Sequence, residues 1–342
     1  MSNLVSSRLS RRGLLGAGGA LALGAVLAAC GDGKNGTAKA SGDEGAWSFT
    51  DDRGQKAEAA SRPRRVVAYV GAAAALWDFG VRDRIVGVYG PAKLKDGSRD
   101  PQVGEVDISK VEIIGNAYGE FNIEKYAALR PELLVDHMFV KPDLFYVPAE
   151  SKDKIFKLAP SVGVLAGDTT LTTPIEHYAS LAASLGADLK SAANTAAKDR
   201  FDKAVTALRQ AVAANKGLRV MAASASPDLF YVSSPAKNAD LRFLTELGVE
   251  VIVPGKLDQA GYFESLSWEN ADKYQADVIL LDARTQALQP KDLGSKPSWG
   301  NLPAVKANQV FAWEPEPRFS YAGCAPIIEK LAETVKNAKK VA

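Results

Sequence analysis

"FNIEKYAALRPELLVD", Phe121 to Asp136, and "LSWENADKYQADVILLD", Leu266 to Asp282, follow one plan: a capping residue, a helix with an early glutamate, a turn, then an apolar strand. Asn122 and Ser267 are good N-caps, and Glu124 and Glu269 fall in the first helical turn, where a carboxylate meets the positive end of the helix dipole. A unit that occurs twice, 145 residues apart by the two glutamates, predicts two similar halves.

The flanking sequence supports this. In the first half, short β-rich runs alternate with helical patterns: "RVVAYV" (65–70), a helix over 72–79, "RIVGVYG" (84–90), the quoted helix and strand, a short helix near 151–158, "SVGVL", and a helix around 174–185. The second half repeats the alternation with "LRVMAAS", "LFYV", a helix over 238–247, "VEVIV", the second quoted unit and "QVFAW". Strands alternating with helices predict α/β lobes with mainly parallel sheets.

Between the halves, apolar residues at 189, 193, 197, 201, 205, 208 and 212 mark one stripe on a helix, and Gly217 is a candidate C-cap. About 28 residues make a rod of roughly 40 Å. The expected organisation is an N-terminal lobe over 47–187, a connecting helix over 188–216 and a C-terminal lobe over 217–342. The fold class is α/β, two Rossmann-like lobes joined by one long helix with a cleft between them, a monomer by expectation.

The N-terminus reads differently. Arg8, Arg11 and Arg12 precede an uncharged run from Gly13 to Ala29, the layout of an export signal. "SRRGLLG", Ser10 to Gly16, resembles a twin-arginine signal, and "LAAC", Leu27 to Cys30, resembles a bacterial lipobox. As a transmembrane helix the run is at the short limit and weakly apolar. Residues 1–29 are expected to be removed, Cys30 lipidated as a membrane anchor, and residues 30–46, rich in Gly, Lys, Ser and Asp, to form a tether of roughly 20–25 Å. The expected location is the extracytoplasmic face of the cell membrane.

Composition narrows the function. Without residues 1–29, which hold three Arg and no acid, the chain has 39 Lys plus Arg against 40 Asp plus Glu. A near-neutral chain without a basic patch argues against a nucleic-acid partner. With Cys30 lipidated, Cys324 is the one remaining thiol, so no intramolecular disulfide is expected. His137 and His177 stand 40 residues apart with no ligand spacing around them, which argues against a dedicated metal site. No G-x-S-x-G, P-loop or G-x-G-x-x-G motif is present, and "GAAAA" after the first β-run has too few glycines for a dinucleotide loop. An anchored α/β enzyme survives only as a remote alternative.

Aromatic residues gather where strands end: Tyr118, Phe139, Phe145 and Tyr146, then Phe230, Tyr231, Tyr262, Phe263, Trp299, Trp313 and Tyr321. Ligands of α/β sheets bind outside the carboxyl ends of strands, so the set, with Arg318 and His137, points to a cleft for a large, partly apolar ligand.

Together with "FTDDRGQ", "RPRRVVA", "ALWDFGVRDRIVGV" and "WGNLPAVKANQVFAW", the two quoted units resemble the solute-binding lipoproteins of ABC importers for ferric siderophores, haem and vitamin B12, over about Trp47 to Val341. The resemblance implies no catalysis and no cofactor, a ligand-binding cleft, and partners in an ABC permease dimer with its ATPase. It implies ligand contacts at Tyr118, His137, Tyr231, Tyr262, Phe263, Trp313 and Arg318, and permease docking through Glu124 and Glu269. A ferric tris-catecholate carries about three negative charges and calls for several cations to offset desolvation. Arg318 and Lys141 stand beside Glu120, Glu264 and Glu316, so a near-neutral or cationic ferric hydroxamate is the favoured ligand. A corrinoid or haem is the alternative, the latter with His137 as an axial ligand.

Overall fold

The computed structural model describes residues 45–342. The export signal, Cys30 and the tether up to residue 44 lie outside the described residues.

A small antiparallel hairpin comes first, β1 (Trp47–Thr50) and β2 (Lys56–Ala59), turning through Gly54 at φ +78°. Asp51 ties it to the first sheet by accepting the Gly163 N–H at 2.9 Å, and Asp52 does so by accepting the Leu165 N–H at 2.7 Å.

The first lobe then runs β3 (Val66–Tyr69), α1 (Val70–Phe79), β4 (Ile85–Tyr89), β5 (Glu112–Gly115), α2 (Ile123–Ala128), β6 (Leu133–Met138), α3 (Lys152–Phe156), β7 (Ser161–Leu165) and α4 (Thr172–Ser184). Its five strands are ordered β5-β4-β3-β6-β7, every pair parallel. The "GAAAA" run is explained here: α1 is buried from Val70 to Leu76, and its alanines allow close approach to the sheet while favouring a helix. Gly80, at φ +108°, ends it in a left-handed conformation that glycine adopts without strain.

The predicted connecting helix is α5 (Ala192–Ala214). It starts three to four residues later than the stripe predicted, because Ser191 caps it by accepting the Asn194 N–H at 3.3 Å. Its buried residues begin only at Phe201 and continue through Ala204, Val205, Leu208 and Ala211, so the first two turns stand largely in solvent. Asn215 closes the helix, and Gly217, the expected cap, lies two residues further on at φ +76°.

The second lobe comprises β8 (Arg219–Ala225), β9 (Leu229–Ser233), α6 (Ala239–Glu246), β10 (Glu250–Val251), β11 (Phe263–Ser267), β12 (Val278–Asp282), α7 (Pro303–Lys306), β13 (Val310–Trp313) and α8 (Tyr321–Asn337). Its sheet is mixed, β11-β9-β8-β12-β13 with β10 beside β8, since β9 runs antiparallel to both neighbours. The second quoted unit forms a 3-10 turn over Trp268–Lys273 in place of an α-helix.

One hydrophobic core runs from the first sheet through α5, α6 and α8 to one face of the second sheet. The other face carries a separate cluster around Phe230, Trp268, Ile279 and Trp299. Burial of Phe201, Val205 and Leu208 against this continuous core contributes about 1.5–3 kcal/mol each. No helix among the described residues is long and apolar enough to cross a membrane.

Candidate ligand-binding cleft

Both sheets point the carboxyl ends of their parallel strands at the same space, a cleft of about 1080 Å3. The first lobe supplies a wall of rings. Phe139, immediately after β6, meets Phe145 edge-on at 4.6 Å, and Phe145 meets Tyr146 edge-on at 4.9 Å. Tyr118 covers Phe145 and Tyr146 from the loop after β5, and at 71 % exposure it is the most solvent-exposed of the large hydrophobic residues. From the second lobe come Tyr231, Tyr262, Phe263 and Trp313, with Tyr231 edge-on to Phe263 at 5.1 Å. Edge-to-face pairs of this kind are the preferred ring geometry, so the wall is self-supporting without a ligand.

The floor is ionic. Asp282 closes β12, opposite Trp313 in the register of β12 and β13, and Arg284 follows two residues later. The Arg284 guanidinium donates to Asp282 Oδ2 at 2.6 Å and also to Glu316. Burial opposes its charge, but hydrogen bonds and attraction from Asp282 and Glu316 prevail and hold its pKa above the ordinary arginine value. Glu316 also accepts from Tyr69 Oη at 2.5 Å and from Gln102 Nε2 at 3.2 Å, both in the first lobe. Burial, then the charge of Glu316, pushes the Tyr69 phenol well above its usual range, so Tyr69 stays a donor. Ser224 Oγ completes the setting by donating to Asp282 at 2.8 Å.

Arg53, Lys152 and Arg284 line the cleft against Asp143, Glu150, Asp258 and Glu316, a formal balance of −1. Among the described residues no group of three or more His, Cys, Asp or Glu is arranged to hold a metal ion.

Of the residues expected to contact ligand, Tyr118, Tyr231, Tyr262, Phe263 and Trp313 line the cleft. Two do not. His137 is still inside β6, fully buried, with Nδ1 and the Tyr178 hydroxyl 2.5 Å apart and rings of Tyr69 and Phe319 about it. Burial lowers its pKa to about 3, so it is a neutral core residue, out of reach of any haem iron in the cleft. Its Nε2 faces Gly71, where a Cβ would come within 2.8 Å; glycine is what makes room for the ring. Arg318 is turned away as well, bonded to Asp78 at 3.3 Å and lodged where Cβ atoms on Gly104 or Gly323 would collide with it. Lys141 does not line the cleft, and Glu264 is buried on Lys273.

Arg284 was not expected from the sequence. A charged residue two positions after a strand reads as an ordinary turn, and its partner Glu316 is 32 residues away.

Glu124, in the first turn of α2, and Glu269, in the 3-10 turn, are both exposed, and neither carboxylate is engaged by another described side chain. Asn122 caps α2 by accepting the Lys125 N–H at 2.9 Å, so Glu124 is not needed as the cap.

A comparison with curated proteins returns no match. Among solved structures, the chain is similar to DesE, a ferric-siderophore receptor protein from Streptomyces coelicolor, at 49% identity over 86% of this chain and 100% of that one, with a TM-score of 0.83. SirA of Staphylococcus aureus, complexed with staphyloferrin B, shares the fold at 21% identity over 85% and 99% of the two chains, TM-score 0.60. So does RhuT, a periplasmic heme-binding protein from Roseiflexus, at 15% identity over 80% and 98%, TM-score 0.57. Residues 66–317 match the periplasmic binding protein family model. Two α/β lobes, a ring-lined cleft between strand ends and that match over most of the sequence have one meaning: the chain belongs to the periplasmic binding protein family, extracytoplasmic proteins that bind a solute and are not enzymes.

Proposed function

We propose that this protein captures a ferric siderophore outside the cell and delivers it to an ABC permease dimer for iron uptake, as a monomer tethered to the membrane through lipidated Cys30. Lobes over 47–187 and 217–342, flanking the helix of 188–216, form the carrier. The observation that carries the reading is a cleft of about 1080 Å3 walled by rings from both lobes, in a chain 49% identical to a ferric-siderophore receptor along nearly its whole length.

The charge balance supports a hydroxamate. A ferric tris-hydroxamate core is neutral, whereas a tris-catecholate brings about three negative charges into a cleft whose own balance is −1 and whose cations Arg53 and Arg284 are already bonded to carboxylates. Rings of Tyr118, Phe145, Tyr231 and Phe263 supply apolar contact, and Arg284 is the donor set to meet a ligand oxygen. Glu124 and Glu269 are assigned to docking on cationic pockets of the permease, because each is exposed, uncommitted and placed alike in its lobe.

Fluorescence titration against ferrioxamine B, a ferric catecholate, cobalamin and haemin tests the ligand. Saturable quenching by ferrioxamine B, with weaker or no response to the catecholate, is expected; response to haemin or cobalamin alone would replace the siderophore with a tetrapyrrole. For the anchor, Cys30→Ala is expected to move the protein from the membrane fraction to the soluble one, and unchanged retention would remove the lipid from the reading.

A further inference from the structure

Trp313 occupies a position no other cleft aromatic shares. Trp313 lines both the cleft and a second cavity of about 70 Å3 bounded by residues that include Leu171, Leu244, Leu280, Cys324 and Ile328. Rings elsewhere in the cleft are fixed by ring neighbours in edge-to-face contact, but no ring pair involves Trp313. In a close-packed interior the neighbours set a side chain's rotamer; beside a void they do so only in part. Although buried within the core, Trp313 makes one side-chain hydrogen bond among the described residues: indole Nε1 donates to Asp240 Oδ2 at 2.6 Å.

Asp240 is a costly group in that position. It opens into the same cavity, whose wall is mostly apolar but includes Glu314 and Lys330; no cation pairs with it among the described residues, and burial pushes its carboxyl up to about 6 against the Trp313 bond. Standing in the first turn of α6, one residue past the start, its charge gains from the helix dipole. Serine is too short to reach the indole. Beyond its charge, what Asp240 supplies that a shorter residue does not is an acceptor at the indole N–H.

We propose that Asp240 is the positioning residue of the binding site, holding the Trp313 indole flat against the cleft so that the ligand meets a fixed ring. Asp240 itself touches no ligand. The inference rests on the reading of the cleft as the ligand site, and it extends that site to a residue lying behind its wall. A ring fixed in advance spares the ligand the entropy of ordering it.

The test uses the full chain and four variants: Asp240→Ser, Asp240→Asn, Trp313→Phe and the Asp240→Ser/Trp313→Phe double. Wild type minus Trp313→Phe gives the Trp313 emission, and the same subtraction in the Asp240→Ser background gives it without the acceptor. In ligand-free protein, Asp240→Ser is expected to lower the anisotropy of that emission and open it to acrylamide, while Asp240→Asn, which keeps an acceptor oxygen, restores both. With ferrioxamine B as probe, Asp240→Ser is expected to raise Kd about tenfold, the size of one charge-assisted hydrogen bond, and Asp240→Asn less than about threefold. The double variant should bind no more weakly than Trp313→Phe alone, since the two residues act as one unit. Additive losses, wild-type affinity in Asp240→Ser, or unchanged Trp313 emission would overturn the proposal. If no probe binds wild type, the ligand reading fails, and the ligand-free emission still decides whether Asp240 fixes the ring.

Discussion

The two lobes face the same cleft with opposite chemistry. The first offers a wall of edge-on rings, Phe139, Phe145 and Tyr146 capped by Tyr118, with Arg53, paired to Asp51, also lining the cleft. The second offers fewer ring contacts and a fixed cation, Arg284, fastened at the end of β12 between Asp282 and Glu316. Rings attract any large, polarisable ligand from many directions, whereas a guanidinium held on two carboxylates donates to one oxygen in one place. The contrast assigns bulk affinity to the first lobe and orientation to the second. On the outer surface the asymmetry disappears, for each lobe shows one exposed, uncommitted glutamate just before a central strand.

That outer likeness gives the largest expected effect. Glu124→Ala with Glu269→Ala should abolish iron uptake in cells while ferrioxamine B affinity stays within about twofold, and each single change should cost uptake by a similar fraction. Uptake that survives the double change would return both residues to the surface, with no docking role.

Inside the cleft, Arg284→Ala should cost more than any one ring. It leaves Asp282 and Glu316 facing each other without a cation, a loss of about 3 kcal/mol in stability and roughly a hundredfold in ligand affinity. Phe145→Ala should cost about tenfold in affinity with little loss of fold. Calorimetry and thermal melts on the two variants check the order; equal losses would erase the distinction between the lobes.

The smallest effect concerns a contact found only in the first lobe. His177 Nδ1 lies 2.8 Å from Asp52 and the bond raises its pKa above the usual 6.5, so folding binds a proton more tightly there. The stabilisation is full below pH 6.5 and disappears as pH rises through the raised value. His177→Ala should lower the melting temperature by about 1–2 °C at pH 6 and by nothing at pH 9, small because the imidazole is partly exposed and its pairing is screened. An equal loss at both pH values would assign the residue to packing.

How much of this could be read from the chain depends on how local the cause is. Parallel strands such as "DVILLD" and the alanine-rich α1 carry their pattern in consecutive residues. β5 and β11 do not: "EIIG" is too short to show a period, and "FESLS" hides Glu264, which is buried only because Lys273 and Tyr274 bond to it. The helix α8 was obscured by Pro326 inside it. At the site, the aromatic set was legible because it tracks strand ends. His137 was misplaced because β6 continues two residues past Asp136 to Met138, and Arg318 by a niche that Gly104 and Gly323 create from distant parts of the sequence.

The Glu316 carboxylate, bonded at once to Tyr69 and Gln102 of one lobe and Arg284 of the other, also bears on speed. With Tyr262 Oη donating to the Phe139 carbonyl at 2.5 Å, it joins the lobes across the space the ligand enters. In the proposed capture of a siderophore, lobes already bonded to each other favour an association rate limited by diffusion and orientation. In the proposed role, with a scarce ligand in open solution, the number of collisions then counts for more than the strength of the final complex.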